Sequence, residues 1–139
     1  MKITVLLLLL IAYTANAPEH QTRPPKPLTL QQVIDTCAAY YKVPRAVIVG
    51  VGISETGLGT DGVGVSANNL FGIKAYKDWK GARHGKWRKY AKKTDSVQDF
   101  CIFIKQHYPH LFGRPLEKWL LIGYGNSEYE KVGYFKQFE

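Results

Sequence analysis

The sequence predicts a mainly helical α+β domain of about five helices with a small β-hairpin lobe. Three observations lead there. Apolar residues recur at helical spacing behind recognisable start signals in several segments. One of those segments, Pro44 to Gly57, is apolar nearly all round, as a central buried helix would be. Between Lys74 and Tyr90 the helical period disappears, and aromatic residues alternate with glycine turns.

The first helix is expected to start at Thr29. Thr29 and Gln32 have the spacing of a capping box, and Leu28 and Val33 are placed for a hydrophobic staple. Leu30, Val33, Ile34, Cys37 and Tyr41 then follow along one face. The second helix is expected to start with Pro44 as its first helical residue. Gly50 and Gly52 weaken it intrinsically but let another element approach closely, and Gly57 and Gly59 stop it. Asn68 to Lys74 reads as a turn or short helix leading into the hairpin lobe, whose turn candidates are Lys80-Gly81 and His84-Gly85. A third helix is expected from Asp95, its cap, to Tyr108, burying Val97, Phe100, Cys101, Ile104 and Tyr108. A fourth begins at Pro115 and ends near Tyr124 at Gly123 and Gly125. A fifth is capped by Ser127 with Glu130 three residues on. A cleft is expected between the helices and the lobe.

A chain of 139 residues suits one domain. Residues 1–17 read as a secretory signal: Lys2, an aliphatic run from Ile3 to Ile11, and Ala15-Asn16-Ala17 as the cleavage pattern. Pro18 fits cleavage poorly, so an uncleaved membrane tether is the alternative to a secreted or periplasmic product. Residues 18–27, with Pro18, Pro24, Pro25 and Pro27, form a linker, and the folded domain occupies 28–139.

The formal charge is +8. Basic residues gather between Lys74 and Lys93, interleaved with Tyr76, Trp79, Trp87 and Tyr90. Such a surface favours an anionic polymer, and behind a secretory signal a wall polysaccharide fits better than nucleic acid. Cys37 and Cys101 either form a disulfide in an oxidising compartment or serve as small buried hydrophobes. His20, His84, His107 and His110 are scattered, so neither a metal site nor a cofactor is expected. The molecule is expected to be a monomer.

The residue with the most chemical interest is Glu55, at the last turn of the apolar second helix and before two glycines. Most glutamates at such positions simply face water. Here hydrophobic surroundings and the negative helix end both disfavour the charged form. A carboxyl that keeps its proton can deliver it to a leaving oxygen, as in glycosidic bond cleavage.

Further residues join Glu55 in order: Ser54-Glu55-Thr56-Gly57-Leu58-Gly59, Asn68-Asn69-Leu70-Phe71-Gly72-Ile73-Lys74-Ala75, Trp79-Lys80-Gly81, Trp87-Arg88-Lys89-Tyr90, Ser96 with Asp99-Phe100, and Gly123-Tyr124 with Tyr129. Together they resemble the glucosaminidase domain of glycoside hydrolase family 73, to which flagellar and autolysin-type peptidoglycan hydrolases belong. The resemblance implies a lysozyme-like fold and cleavage of the β-1,4 bond after N-acetylglucosamine in peptidoglycan. It places Glu55 on the family's general acid and Tyr124 on a tyrosine that helps at the reacting sugar. Asn69, Phe71, Trp79 and Tyr90 are the candidate sugar contacts, with Phe71 expected in the core and Trp79 or Tyr90 nearer the cleft.

One departure stands out. Many family members carry a second acid in the hairpin lobe, whereas the segment from Ala82 to Lys89 has none, and the nearest acids in sequence are Asp61 and Asp78. The usual two-carboxylate scheme is therefore not assigned. Two rivals to an endo-β-N-acetylglucosaminidase stay open: a lytic transglycosylase or muramidase of related fold, and a catalytically weakened wall-binding module.

Overall fold

The structure, a computed structural model, describes residues 25–121 and 133–139. The expected leader and most of the linker lie outside the described residues, as do Gly123, Tyr124, Gly125 and the helix expected behind Ser127. Among the described residues no helix is long and apolar enough to cross a membrane.

Helix α1 spans Leu30–Tyr41. Its capping box forms as expected: the Thr29 hydroxyl accepts from the Gln32 N–H (3.2 Å), and the Thr29 N–H donates to Gln32 Oε1 (2.9 Å). Helix α2 spans Arg45–Thr56. Pro44 is its cap rather than its first helical residue. With ψ at 131° its backbone is extended, while its carbonyl already accepts from the Val47 N–H at 2.9 Å. Gly57 ends the helix in the left-handed region (φ 57°), and the Leu58 N–H reaches back to the Gly52 carbonyl at 2.8 Å.

The two glycines within α2 serve close approach. A methyl group on Gly50 would meet the Phe135 ring at 2.8 Å, and one on Gly52 would meet Leu58 Cδ1 at 2.7 Å and Phe71 Cε1 at 3.4 Å. The C-terminal turn and the loop after the helix thus lie directly on the α2 backbone.

A single turn, α3 (Val63–Ser66), leads into the loop of residues 68–73. The lobe follows, with β1 (Arg83–His84) and β2 (Trp87–Arg88) paired antiparallel, Arg83 opposite Arg88 and His84 opposite Trp87. Of the two expected turns, His84-Gly85 closes the hairpin, with Gly85 at φ 57°. A bridge between Lys74 and Trp87 adds a third short edge.

Helix α4 spans Lys93–His107, two residues earlier than expected, with Lys92 as the cap. Asp95 falls within the first turn, where the helix dipole favours an acid, instead of at the cap. The helix expected from Pro115 is a 3₁₀ segment, Leu116–Leu121, opened by an N–H of Lys118 on the Pro115 carbonyl at 2.9 Å. Burial of Trp119 (1% exposed) against Phe112, ring centroids 5.5 Å apart, holds that tighter turn in place. Two further 3₁₀ turns, Pro109–Leu111 and Phe135–Phe138, complete the described chain.

The core is one cluster. Ile34 from α1, Val47, Ile48 and Val51 from α2, Leu70 and Phe71 from the loop, and Val97, Phe100 and Ile104 from α4 meet there. Phe71 stacks on Phe100 with centroids 4.1 Å apart and planes 8° from parallel. Cys37 and Cys101 are both buried free thiols. Burial raises both above the ordinary thiol range, and the nearby Cys37 adds to the rise at Cys101.

Two predictions come from this packing. Phe71→Ala is expected to cost about 3–5 kcal/mol of unfolding free energy, read from urea denaturation. Iodoacetamide is expected to label neither cysteine in the native protein and both in denaturant; two unlabelled cysteines in denaturant without reductant would show that they pair instead.

Candidate active site

Glu55 lies in the last turn of α2, half-buried, next to a residue that fixes the helix end. That neighbour is Thr56, 2% exposed. Its hydroxyl donates to the Leu70 carbonyl at 2.7 Å and accepts from the Gly59 N–H at 2.9 Å. The end of α2 and the loop of residues 68–73 are thereby held together through one side chain.

The loop meets the carboxyl at Gly72. A methyl group built there would sit 3.3 Å from Glu55 Oε2 and 3.9 Å from Trp87 Cζ3. Gly72 also has φ 61°, a conformation costly for other residues. Its missing side chain thus leaves the space that the Glu55 carboxyl and the Trp87 ring border.

The rest of the loop is held by its asparagines. Asn69 is 0% exposed, and its amide group is used inside the fold: Nδ2 donates to the carbonyls of Ile73 and Arg88, each at 3.0 Å, and Oδ1 accepts from the Ile73 N–H at 3.1 Å. Asn68, at φ 52°, donates to the carbonyls of Tyr90 (3.1 Å) and Ala91 (3.2 Å). Phe71 is 0% exposed on Phe100. Phe71 thus lies in the core, as expected, and the Asn69 amide is turned to the backbone. Neither presents side-chain surface to a ligand here, and both brace the wall that carries Gly72.

The lobe is tied to α4 by a second constellation. Arg88 Nη1 lies 2.9 Å from Asp99 Oδ2, and Arg88 Nε donates to the Lys74 carbonyl at 3.2 Å. The Tyr90 hydroxyl donates to the same Asp99 oxygen. Burial, then the hydrogen bond to Asp99 and its charge, push the Tyr90 hydroxyl well above its ordinary range against a smaller opposing pull from Arg88. The Arg88 guanidinium lies 4.4 Å from the Trp79 ring centroid, and Trp79 Nε1 donates to the Ala82 carbonyl at 2.9 Å. Tyr90 is 8% exposed, so it too is mainly a brace, whereas Trp79 keeps part of its surface open.

Asp61 and Asp78 are exposed. Asp61 sits over the glycine turn, its Oδ2 3.0 Å from where a methyl group on Gly57 would lie. Among the described residues no group of His, Cys, Asp and Glu has the makings of a metal site. Tyr124 lies outside the described residues.

Sequence reasoning singled out Glu55 and the loop but not the part played by Gly72. The available signal was a glycine directly after the buried Leu70-Phe71 pair. Trp87 was one of four rings interleaved with the basic residues, and only the fold brings it to Gly72, next to which Glu55 lies. The pairing of Asp99 with Arg88 and Tyr90 was likewise not expected, since it joins a hairpin to a helix.

A half-buried carboxyl beside an indole ring and a side-chain-free backbone is an arrangement suited to proton transfer at a bound ring-shaped substrate. No curated protein and no solved structure matches the chain. A family model does match it, over residues 31–137: Glucosaminidase, described as mannosyl-glycoprotein endo-beta-N-acetylglucosaminidase. That span includes Glu55, the loop with Gly72, the lobe with Trp87, and Asp99, and the chain belongs to the glucosaminidase family.

Proposed function

We propose that the chain is an exported peptidoglycan hydrolase that cleaves the β-1,4 bond after N-acetylglucosamine, with Glu55 as general acid. The observation that carries this reading is the meeting of Glu55, Gly72 and Trp87 at the junction of helix, loop and lobe. Family membership supplies the reaction class. The secretory pattern of residues 1–17 and the basic charge supply the compartment and the anionic polymer.

In this reading the glycan lies along the junction with one sugar face toward Trp87 and its neighbouring bond at Glu55. Protonated Glu55 gives its proton to the leaving glycosidic oxygen as the bond from the anomeric carbon to that oxygen breaks. Water then supplies the hydroxyl to the anomeric carbon and returns a proton to the glutamate. The segment between Ala82 and Lys89 has no carboxylate to stabilise the developing cation. The substrate's own acetamido group, together with Tyr124, takes that part.

The same missing carboxylate favours one second reading. A lytic transglycosylase also uses one acidic glutamate, and it closes the cation with a hydroxyl of the same sugar. Mass spectrometry of released fragments separates the two: reducing N-acetylglucosamine ends support the proposal, and anhydro ends support the transglycosylase.

Two substitutions test the site itself. Glu55→Gln is expected to lower solubilisation of purified sacculi by about 10²- to 10⁴-fold while leaving sedimentation with them intact. Equal turnover by this variant and the wild type would remove Glu55 from the chemistry. Gly72→Ala is expected to displace the carboxyl and lower kcat by about 10²-fold, with a native circular dichroism spectrum. An unchanged kcat would show that the contact at Gly72 does not position the acid.

A further inference from the structure

The chain's charge is concentrated in the lobe and at the start of α4. Residues 74–93 contain nine Lys and Arg and a single acid, Asp78, a balance of +8. The rest of the sequence holds ten basic and ten acidic residues, so this one segment accounts for the whole formal charge.

The fold sorts these cations into two groups. The two arginines are committed to structure. Arg83 donates to the backbone carbonyls of Ala75, Tyr76 (2.8 Å) and Trp79 (3.1 Å), and Arg88 is paired with Asp99. Most of the lysines are not. Lys74, Lys77, Lys80, Lys86 and Lys89 are exposed. The ion pairs among the described residues are Arg45–Asp35 and Arg88–Asp99, and neither involves a lysine of the lobe. Like charges gathered with a single acid among them repel one another, and an anionic partner relieves that repulsion.

The lobe is also continuous with the candidate active site. Lys86 Nζ lies 5.0 Å from the Trp87 ring centroid, and Trp87 borders the same space at Gly72 as the Glu55 carboxyl. A polymer seated at Glu55 therefore runs onto, or off, the lysine surface.

We propose that the lysine face of the hairpin lobe docks the carboxylates that the glycan substrate carries on its peptide branches, holding the strand across the Glu55 site. This rests on the reading of the chain as a wall hydrolase. Lysine ammonium groups are mobile point charges without the fixed fork of a guanidinium. They suit carboxylates borne on flexible branches at repeated intervals, and no single anion needs a shaped pocket. The attraction is long-ranged and is screened within about 8–10 Å at ordinary ionic strength, so the docking is salt-sensitive.

The test uses the full-length Glu55→Gln protein, which separates binding from cleavage. Its co-sedimentation is measured with native sacculi and with sacculi whose carboxyls have been amidated with a neutral amine, in 50 mM and 500 mM NaCl. The same assay is run with Lys77→Glu, Lys80→Glu and Lys89→Glu combined, and with the corresponding three Gln substitutions, each verified by thermal melting. Expected is a loss of tenfold or more in affinity on amidation, a comparable loss at high salt, and a graded loss from Gln to Glu substitutions. Equal binding to native and amidated sacculi would overturn the proposal. So would tighter binding to DNA or polyphosphate than to sacculi in the same salt, which would point to phosphate as the partner chemistry. Cleavage by wild type and Glu55→Gln is scored separately, so a failure of Glu55 as acid and a failure of the lysine face as dock give different results.

Discussion

The end of α2 and the loop of residues 68–73 are joined by the hydroxyl of Thr56, which donates to the Leu70 carbonyl while accepting from the Gly59 backbone. A buried hydroxyl with both roles filled holds its neighbours firmly, because breaking either bond leaves an unsatisfied polar group worth about 1–3 kcal/mol. The consequence reaches the residue before it. Glu55 sits one position earlier on the same turn, so any slippage between helix and loop moves the carboxyl relative to Gly72. The Asn69 amide closes the loop around Ile73, and the Phe71–Phe100 stack anchors it to α4. The local geometry at Gly72 is therefore set by groups that do not themselves face the site.

The lobe is positioned by a different kind of interaction. Arg88 and Asp99 form an ion pair whose side chains are 10% and 19% exposed, with Tyr90 sharing the carboxylate. A pair this far out of water gains little net stability over a hydrophobic contact, but removing either partner strands the other. Its value lies in orientation. It ties β2 to α4 through Arg88, and Trp87, one residue before Arg88, borders Gly72. Apolar packing alone would permit small rotations of so short a hairpin.

Features written into neighbouring residues were legible in the sequence. The capping box at Thr29 and Gln32 depends on three residues of spacing, and Gly57 ends α2 because a left-handed residue is needed there. The close approach at Gly50 and Gly52 could be foreseen, although not which elements approach. Less legible were features that depend on side-chain direction. An asparagine pair before Leu-Phe-Gly has the same sequence whether its amides face a ligand or the backbone, and only the fold shows Asn69 turned inward. Helix type after Pro115 is hard to read for a related reason: over the six residues Leu116–Leu121, i to i+3 bonding with Trp119 in the core serves as well as an α-turn.

The lysine face and the missing second carboxylate are best understood as one feature of the lobe. In the two-carboxylate scheme an acid on the lobe would face the anomeric carbon. In this lobe such an acid would stand among lysines and pair with them, which would both occupy the carboxylate and reduce the field that draws an anionic strand. Asp78, the one acid between Lys74 and Lys93, is exposed. A lobe that holds the substrate by its charge, as proposed, is thus poorly suited to supplying a reactive anion. Under the proposed function, stabilisation of the sugar cation then falls to groups the lobe does not carry, and the substrate's acetamido oxygen is the one that arrives with every bound strand. Strong docking and substrate-assisted chemistry are therefore consistent with each other: the better the strand is held, the more reliably its own oxygen is placed.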